Sequence, residues 1–167
     1  MDEASFAKAR AAADGFLSAA VIARRAEADK LVHLAELAES YSVRDPEVFV
    51  EVLVEGFTQI GGEGTPKVSE FLSLEVAGLM GCSPATAAGK MADIVDLKHR
   101  HQFLWRAVEN LELEHWKGLW AAHRCRSLDH TSADTVANTW LERQEGLAWS
   151  AAKGRLEQLI VALDPEA

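Results

Sequence analysis

The stretch VAGLMGCSPATA, residues 76–87, has the residue types of a helix-turn-helix and is the clearest fold signal in the chain. Ala77 is small at the position where two helices would touch, and Gly81 occupies the turn position that favours a left-handed backbone. Ser83 precedes a proline, as an N-cap residue does at the start of a helix. The stretch therefore predicts two consecutive helices that pack together. They are expected over residues 69–80 and 84–99.

DNA reading by this pair is a separate hypothesis, because direct readout needs polar or basic side chains at the exposed start of the second helix. Lys90 is the one strong candidate there, and Thr86 is a weaker one. Lys98 and Arg100 follow further along the same helix, where two aspartates offset their charge. The sequence favours a structural helix pair over a sequence-specific DNA reader.

The rest of the chain is also predicted to be helical, which gives an all-α fold with a single multi-helix domain. Alanine and leucine dominate, and alternating β-branched segments are scarce. A long N-terminal helix is predicted over residues 3–41, because its apolar residues recur at helical spacing. They are Phe6, Ala13, Leu17, Val21, Ala28, Leu31, Ala35 and Ala38. Such a helix would exceed about 50 Å, so we expect it to break near Gly15 or to pack against a partner chain by self-association.

The predicted organisation has three parts and about eight helices, with no strand. Residues 1–55 hold the long helix and a short one at 46–55, either as an arm or as part of the core. Residues 56–67 are a glycine-rich linker loop, and residues 68–167 form the helical core. The loop lacks the preceding strand and the G-K-[ST] sequence of a phosphate-binding loop, so a flexible connector is favoured. The further helices are expected at residues 102–110, 113–127, 132–144 and 150–163.

Composition and charge restrict the function classes. The chain has 167 residues and a net charge of −9, so it lacks the overall basic footprint of most nucleic-acid modules. No apolar run is long enough to span a membrane, and the acidic start lacks the pattern of a signal peptide. Two distant cysteines suit a reducing compartment. We therefore expect a cytoplasmic protein with no membrane contact.

No catalytic or metal-binding pattern is recognisable. His99 and His101 would point to different sides of a helix, and no H-x-x-x-H pair occurs. A serine-histidine-aspartate arrangement has no G-x-S-x-G support. The segment Asp129-His130-Thr131 is interpreted as the turn before a helix. The expectation is a chain that is not an enzyme, with no cofactor and no metal.

Tryptophans and basic residues lie close together in the second half of the chain. Trp116 and Trp120 are one helical turn apart, with three more tryptophans nearby. Buried tryptophans are the commoner case, and an interaction surface is the alternative. Any DNA contact is expected in this region, together with the basic residues of the preceding helix. The tentative DNA-binding residues are Thr86, Lys90, Lys98, Arg100, Arg106, Lys117, Arg124 and Arg126.

Several motifs in residues 75–167 resemble family 222 of the domains of unknown function. They are V-A-x-x-x-G-C-S-x-x-T-A-A at 76–88, A-D-x-x-D-L-x-H-R at 92–100, L-E-L-x-x-W-K at 111–117, A-x-x-R at 121–124 and D-P-E-A at 164–167. Their order and spacing, over more than half of the chain, carry the resemblance. Two turns differ, since the family usually has Leu-Pro where this chain has His101-Gln102, and often a glycine near Asn110.

The resemblance implies the N-terminal helical domain that precedes HNH endonuclease domains in actinobacterial proteins. The leading hypothesis is then a non-catalytic accessory domain that contributes DNA engagement or assembly to such a protein, whose nuclease domain would follow in the parent chain. This sequence ends where the family pattern normally continues, so we expect either part of a longer protein or a stand-alone member. Two alternatives remain open: an oligomerisation or protein-interaction module without a nucleic-acid role, and a helix-turn-helix DNA-binding regulator.

Overall fold

The structure, a computed structural model, describes residues 3–43 and 56–163 and confirms the all-α fold. The helix predicted for residues 46–55 lies outside the described residues. The helices are α1 (Glu3–Ser40), α2 (Phe71–Met80), α3 (Pro84–Arg100), α4 (Gln102–Glu109), α5 (His115–Arg124), α6 (His130–Gln144) and α7 (Trp149–Leu163). The strands are β1 (Ser42–Val43), β2 (Phe57–Gln59) and β3 (Lys67–Ser69).

The short sheet corrects two predictions. The strands pair antiparallel in the order β1-β3-β2, with Thr58 opposite Val68, so the expectation of no strand is wrong. Segments of two or three residues are too short to show alternation in the sequence. The expected flexible linker at residues 56–67 is also wrong, because it contains β2 and a turn whose Thr65 is buried.

Helix α3 forms the centre of the domain. It packs against α1, α2, α4, α5 and α6, and its apolar side chains are buried on most of its circumference. The buried apolar residues are Ala87, Met91, Ala92, Ile94, Val95 and Leu97. A helix that is apolar on several faces is enclosed by others, so the remaining elements are arranged around this one.

The helix-turn-helix geometry is present as the sequence predicts. Gly81 has a left-handed backbone with φ of 62°, and its N–H binds the Ala77 carbonyl at the end of α2. The Ser83 hydroxyl accepts the Thr86 N–H at 3.1 Å and caps α3. No single helix of the described residues has the length and hydropathy to cross a bilayer; α2 and α3 together do, but they are bent by 102°.

Helix α1 is unbroken through Gly15, so the predicted break is wrong. One glycine costs about 1 kcal/mol relative to alanine, and the alanine-rich flanks tolerate it. The predicted apolar face is buried only at Ala28, Leu31, Ala35 and Ala38. Every residue from 3 to 23 is exposed.

Helix α6 begins at His130, two residues earlier than predicted, because Asp129 caps it. The Asp129 carboxylate accepts the Ser132 N–H at 3.0 Å. Helices α6 and α7 pack together, and the fully buried Trp140 donates its Nε1–H to the Ala152 carbonyl at 2.8 Å. This bond links α6 to α7 beside the tryptophans described below.

Candidate functional site

The exposed start of α3 offers little to a DNA groove. Thr86 is exposed, but its hydroxyl lies 2.9 Å from the Ser83 hydroxyl that caps the helix. Lys90 is exposed and borders a cavity of about 190 Å³ between α1, α3 and α5. The same cavity is lined by Glu27, which pairs with Lys30 at 3.0 Å, and by Asp93, which pairs with Arg126 at 2.6 Å. Lys90 is therefore the one basic side chain that the exposed start of α3 offers to a DNA groove.

Arg100 was predicted to contact DNA, and this prediction is wrong. Its side chain is 0% exposed and donates hydrogen bonds to the carbonyl oxygens of Arg126 at 3.1 Å and Leu128 at 2.5 Å. Its guanidinium also lies 3.8 Å from the equally buried carboxylate of Asp96. Arg100 therefore holds the chain after α5 against α3 and is not available to a ligand.

Arg126 and Arg124, two further predicted DNA contacts, form ion pairs within the chain. Arg126 binds Asp96 at 2.5 Å and Asp93 at 2.6 Å. Burial alone would lower the pKa of Arg126, but the hydrogen bonds and charges of these aspartates outweigh it and raise the pKa. Arg124 binds Glu157 of α7 through two hydrogen bonds of 2.7 and 2.8 Å. That pairing raises the pKa of Arg124 and lowers the pKa of Glu157.

The glycine-rich turn completes the buried charge cluster. The Gly62 N–H donates to Asp96 at 2.7 Å, and a Cβ at this position would lie 2.1 Å from the Arg100 guanidinium. At Gly64, where φ is 84°, a Cβ would lie 2.5 Å from the His130 ring. Glycine at these two positions therefore allows the turn to contact α3 and α6 closely. The Gly62 N–H is already bound to a carboxylate of the same chain.

His101, at the junction of α3 and α4, is fully buried, and neither ring nitrogen has a hydrogen-bond partner among the described residues. Burial, followed by the charges of Arg100 and His130, lowers the pKa of His101 from 6.5 to about 4. Burial also raises the pKa of the Cys125 thiol to about 12, which makes it a poor nucleophile. Across residues 3–43 and 56–163, no group of three or more acidic, histidine or cysteine side chains is placed to hold a metal.

The tryptophans divide into core and surface. Trp140 and Trp105 are buried, and the Lys98 ammonium lies 4.5 Å from the centre of the Trp105 ring. Trp116 of α5 is 42% exposed and meets Trp149 of α7 edge to face at 4.7 Å. Trp140 and Trp105 are therefore core residues, and Trp116 is the ring for which an interaction surface stays a prediction.

Two lysines adjoin the exposed Trp116 and the half-buried Trp149. The Lys117 ammonium lies 5.6 Å from the centre of the Trp116 ring and 5.9 Å from that of Trp149. Lys153 lies 5.9 Å from the Trp149 ring. The sequence reasoning missed Lys153, although its position four residues after Trp149 on a helix is the spacing that brings two side chains together. We call Trp116, Lys117, Trp149 and Lys153 the tryptophan surface.

Arg106, the remaining predicted DNA contact, is exposed on α4 away from these indoles. It borders a shallow cavity of about 300 Å³, which it shares with Lys98 and Glu109. The predicted basic residues thus fall into separate groups and do not form one continuous basic face.

The first half of α1 carries several exposed apolar side chains. Residues 3–23, here called the arm, span about 31 Å at 1.5 Å per residue. Phe6 is 59% exposed and Leu17 is 61% exposed. Where the arm ends, Arg24 pairs with Glu114 at 3.2 Å, and Arg25 donates to the Glu109 carbonyl at 2.7 Å. These contacts fasten α1 to the domain just before its buried half begins.

Comparison with protein-family models, curated proteins and solved structures finds no significant match to this chain. The features of the molecule that bear on its function are therefore the arm, the tryptophan surface and the buried charge cluster.

Proposed function

We propose that this chain is a non-catalytic assembly domain that pairs with a second copy of itself through the arm of α1. The observation that carries the proposal is the division of one apolar stripe into two halves. Ala28, Leu31, Ala35 and Ala38 are buried against the domain, whereas Phe6, Ala13, Leu17 and Val21 on the same stripe are exposed. The exposed half, which belongs to the arm, has the apolar residues of a packed face but is not packed against the domain.

An isolated arm is expected to be only marginally stable as a helix. Helices are costly to nucleate in water, and most of their stability in proteins comes from packing an apolar face. Large apolar side chains exposed in a contiguous patch are typical of interaction sites. A second helix along Phe6, Leu17 and Val21 would bury these side chains and stabilise both arms.

The distribution of charge favours a second copy of the chain as the partner that packs against the arm. The arm contains two acidic and two basic residues and is neutral, whereas the whole chain carries −9. Two acidic domains repel when their bodies approach. A neutral projection of about 31 Å lets two copies join while most of their acidic surface stays apart.

The test is the mass of the protein in solution as a function of concentration. We expect the wild-type chain to associate at micromolar concentration in sedimentation or light scattering, and Leu17→Glu to shift the association to concentrations at least about tenfold higher. Ile22→Glu is the matched control, because Ile22 is equally exposed but lies on the opposite side of the helix. A strictly monomeric wild-type chain at high micromolar concentration would exclude the proposal, as would equal association of wild type and Leu17→Glu.

The resemblance to family 222 supports placing this assembly role in an HNH endonuclease-like protein, with the chain as its accessory domain. The gene beyond codon 167 provides the test. A reading frame that continues into an HNH motif would support this placement, and a stop codon directly after Ala167 would remove it.

A second candidate function, a helix-turn-helix DNA reader, is favoured by the 102° bend between α2 and α3, within the range of about 90–120° for such motifs. Replacing both Lys90 and Thr86 by alanine should then weaken binding to duplex DNA. Unchanged affinity in the double variant would eliminate this candidate.

A further inference from the structure

The tryptophan surface combines an exposed ring with flanking positive charge, and it lies on α5 and α7, apart from the arm. Trp116 keeps 42% of its area exposed although three other tryptophans lie in the same cluster. Burying a large aromatic side chain is favourable, and exposed aromatic residues are enriched where proteins bind partners. The residues around the indole indicate what that partner is.

The exposed indole is held in place by the rings behind it. Trp149 contacts Trp116 at 4.7 Å and Trp120 at 5.0 Å, both nearly perpendicular, and Trp120 contacts the buried Trp140 at 6.4 Å. The hydrogen bond from Trp140 to α7 fixes the innermost ring. A flat partner stacking on Trp116 therefore meets a preorganised surface and loses little side-chain entropy.

Within helices α5 and α7 basic side chains outnumber carboxylates, although the whole chain is acidic. Helix α5 contains no carboxylate, and the only one in α7 is Glu157, which Arg124 neutralises at 2.7 Å. The ammonium groups of Lys117 and Lys153 form no ion pair with a carboxylate of the described residues; instead they lie over the indoles. A ligand that brings both a flat ring and negative charge matches this arrangement.

We propose that the tryptophan surface binds single-stranded nucleic acid, with a base stacked on Trp116 and neighbouring phosphates held by Lys117 and Lys153. Stacking on aromatic side chains beside cationic groups is the common way in which proteins hold single strands. A duplex keeps its bases stacked inside and cannot offer a ring to Trp116. An acidic peptide matches the lysines but brings no base. The proposal is independent of pairing through the arm.

The experiment is fluorescence anisotropy of a labelled dT12 oligonucleotide titrated with the full chain, from low to physiological salt. We expect saturable binding that weakens as salt increases, and weaker binding of a duplex of equal length. Trp116→Ala should lower the dT12 affinity at least about fivefold through the loss of stacking. The double variant Lys117→Gln with Lys153→Gln should make the slope of log K against log salt less negative by about 1.4, at about 0.7 per phosphate contact.

The matched control is Lys67→Gln, because Lys67 is an exposed lysine of β3, on a different element from the tryptophan surface. It removes the same charge from a strand that contributes no residue to the tryptophan surface, so the dT12 affinity should stay within about twofold of wild type. No binding at low salt would overturn the proposal, and so would a Trp116→Ala affinity equal to wild type. Equal loss in Lys67→Gln, or displacement of dT12 by poly-glutamate at equal charge, would also overturn it, because either result would indicate nonspecific attraction of anions.

Discussion

Replacing Asp96 by asparagine tests the buried charge cluster that joins the glycine-rich turn, α3 and the segment after α5. The Asp96 carboxylate is 0% exposed and accepts hydrogen bonds from the Gly62 N–H at 2.7 Å and from Arg126 at 2.5 Å. It also lies 3.8 Å from the guanidinium of Arg100. Asparagine has nearly the same shape, but its NH₂ group would face the Arg126 donor, and the negative charge would be lost.

The expected cost follows from the burial of the partners. Arg100 has no exposed side-chain area, so it cannot exchange its lost carboxylate for water. Removing one partner of a buried ion pair costs about 3–5 kcal/mol. That is a large fraction of the stability of a typical domain, about 5–15 kcal/mol. For a chain of this size it corresponds to a melting temperature lower by about 6–20 °C.

The assay is urea denaturation followed by circular dichroism, with Asp93→Asn as the control. Asp93 also pairs with Arg126, at 2.6 Å, but it is 27% exposed, and partly solvated pairs contribute about 1 kcal/mol or less. Asp96→Asn should therefore lower the free energy of unfolding by at least about 2 kcal/mol more than Asp93→Asn. Equal effects of the two variants would refute the assignment of Asp96 as the centre of a buried cluster.

Four other substitutions, in three experiments, test separate parts of the fold. Because the pKa of His101 is lowered from 6.5 to about 4, the unfolded chain takes up this proton first, and stability should fall as the pH drops from about 6.5 towards 4. The free energy of unfolding, measured in urea, should therefore be higher at pH 7 than at pH 5, and His101→Leu should reduce this difference by about 2 kcal/mol. An unchanged difference would contradict the burial of a neutral imidazole. Gly62→Ala should lower the melting temperature, because its Cβ would lie 2.1 Å from the Arg100 guanidinium. Gly78→Ala should raise stability by up to about 1 kcal/mol, because no atom lies within 4 Å of its Cβ. A Gly62→Ala variant more stable than Gly78→Ala would refute the close contact of the turn. Trp140→Phe removes the hydrogen bond to α7 and should cost about 1–3 kcal/mol in chemical denaturation, and a cost below about 0.5 kcal/mol would argue against that bond.

Local features of the chain were predictable because neighbouring residues control them. The left-handed turn at Gly81 and the cap at Ser83 both follow from residues within one helical turn. Helix propensity and capping require no knowledge of the rest of the molecule, so the all-α fold and the helix pair could be predicted.

The state of the basic residues was not predictable in this way. Whether Arg100, Arg124 or Arg126 is available to a ligand depends on carbonyl oxygens and carboxylates that approach it in the folded domain. The oxygens that occupy Arg100 are 26 and 28 residues away, and the carboxylate that binds Arg124 is 33 residues away. The sequence places positive charges near tryptophans, but long-range packing determines which charges are neutralised.

Helix α1 shows most clearly which features the sequence determines and which the tertiary structure determines. Its apolar residues recur at steps of three, four and seven, so one face is apolar from Phe6 to Ala38. The sequence determines this because helical periodicity is a property of the segment alone. Only the tertiary structure decides that other elements pack against this face no further towards the N-terminus than Arg24, whose ion pair with Glu114 lies at the edge of the domain. Burial depends on which other elements reach the face, and in this molecule they reach the second half of the helix and leave the arm exposed.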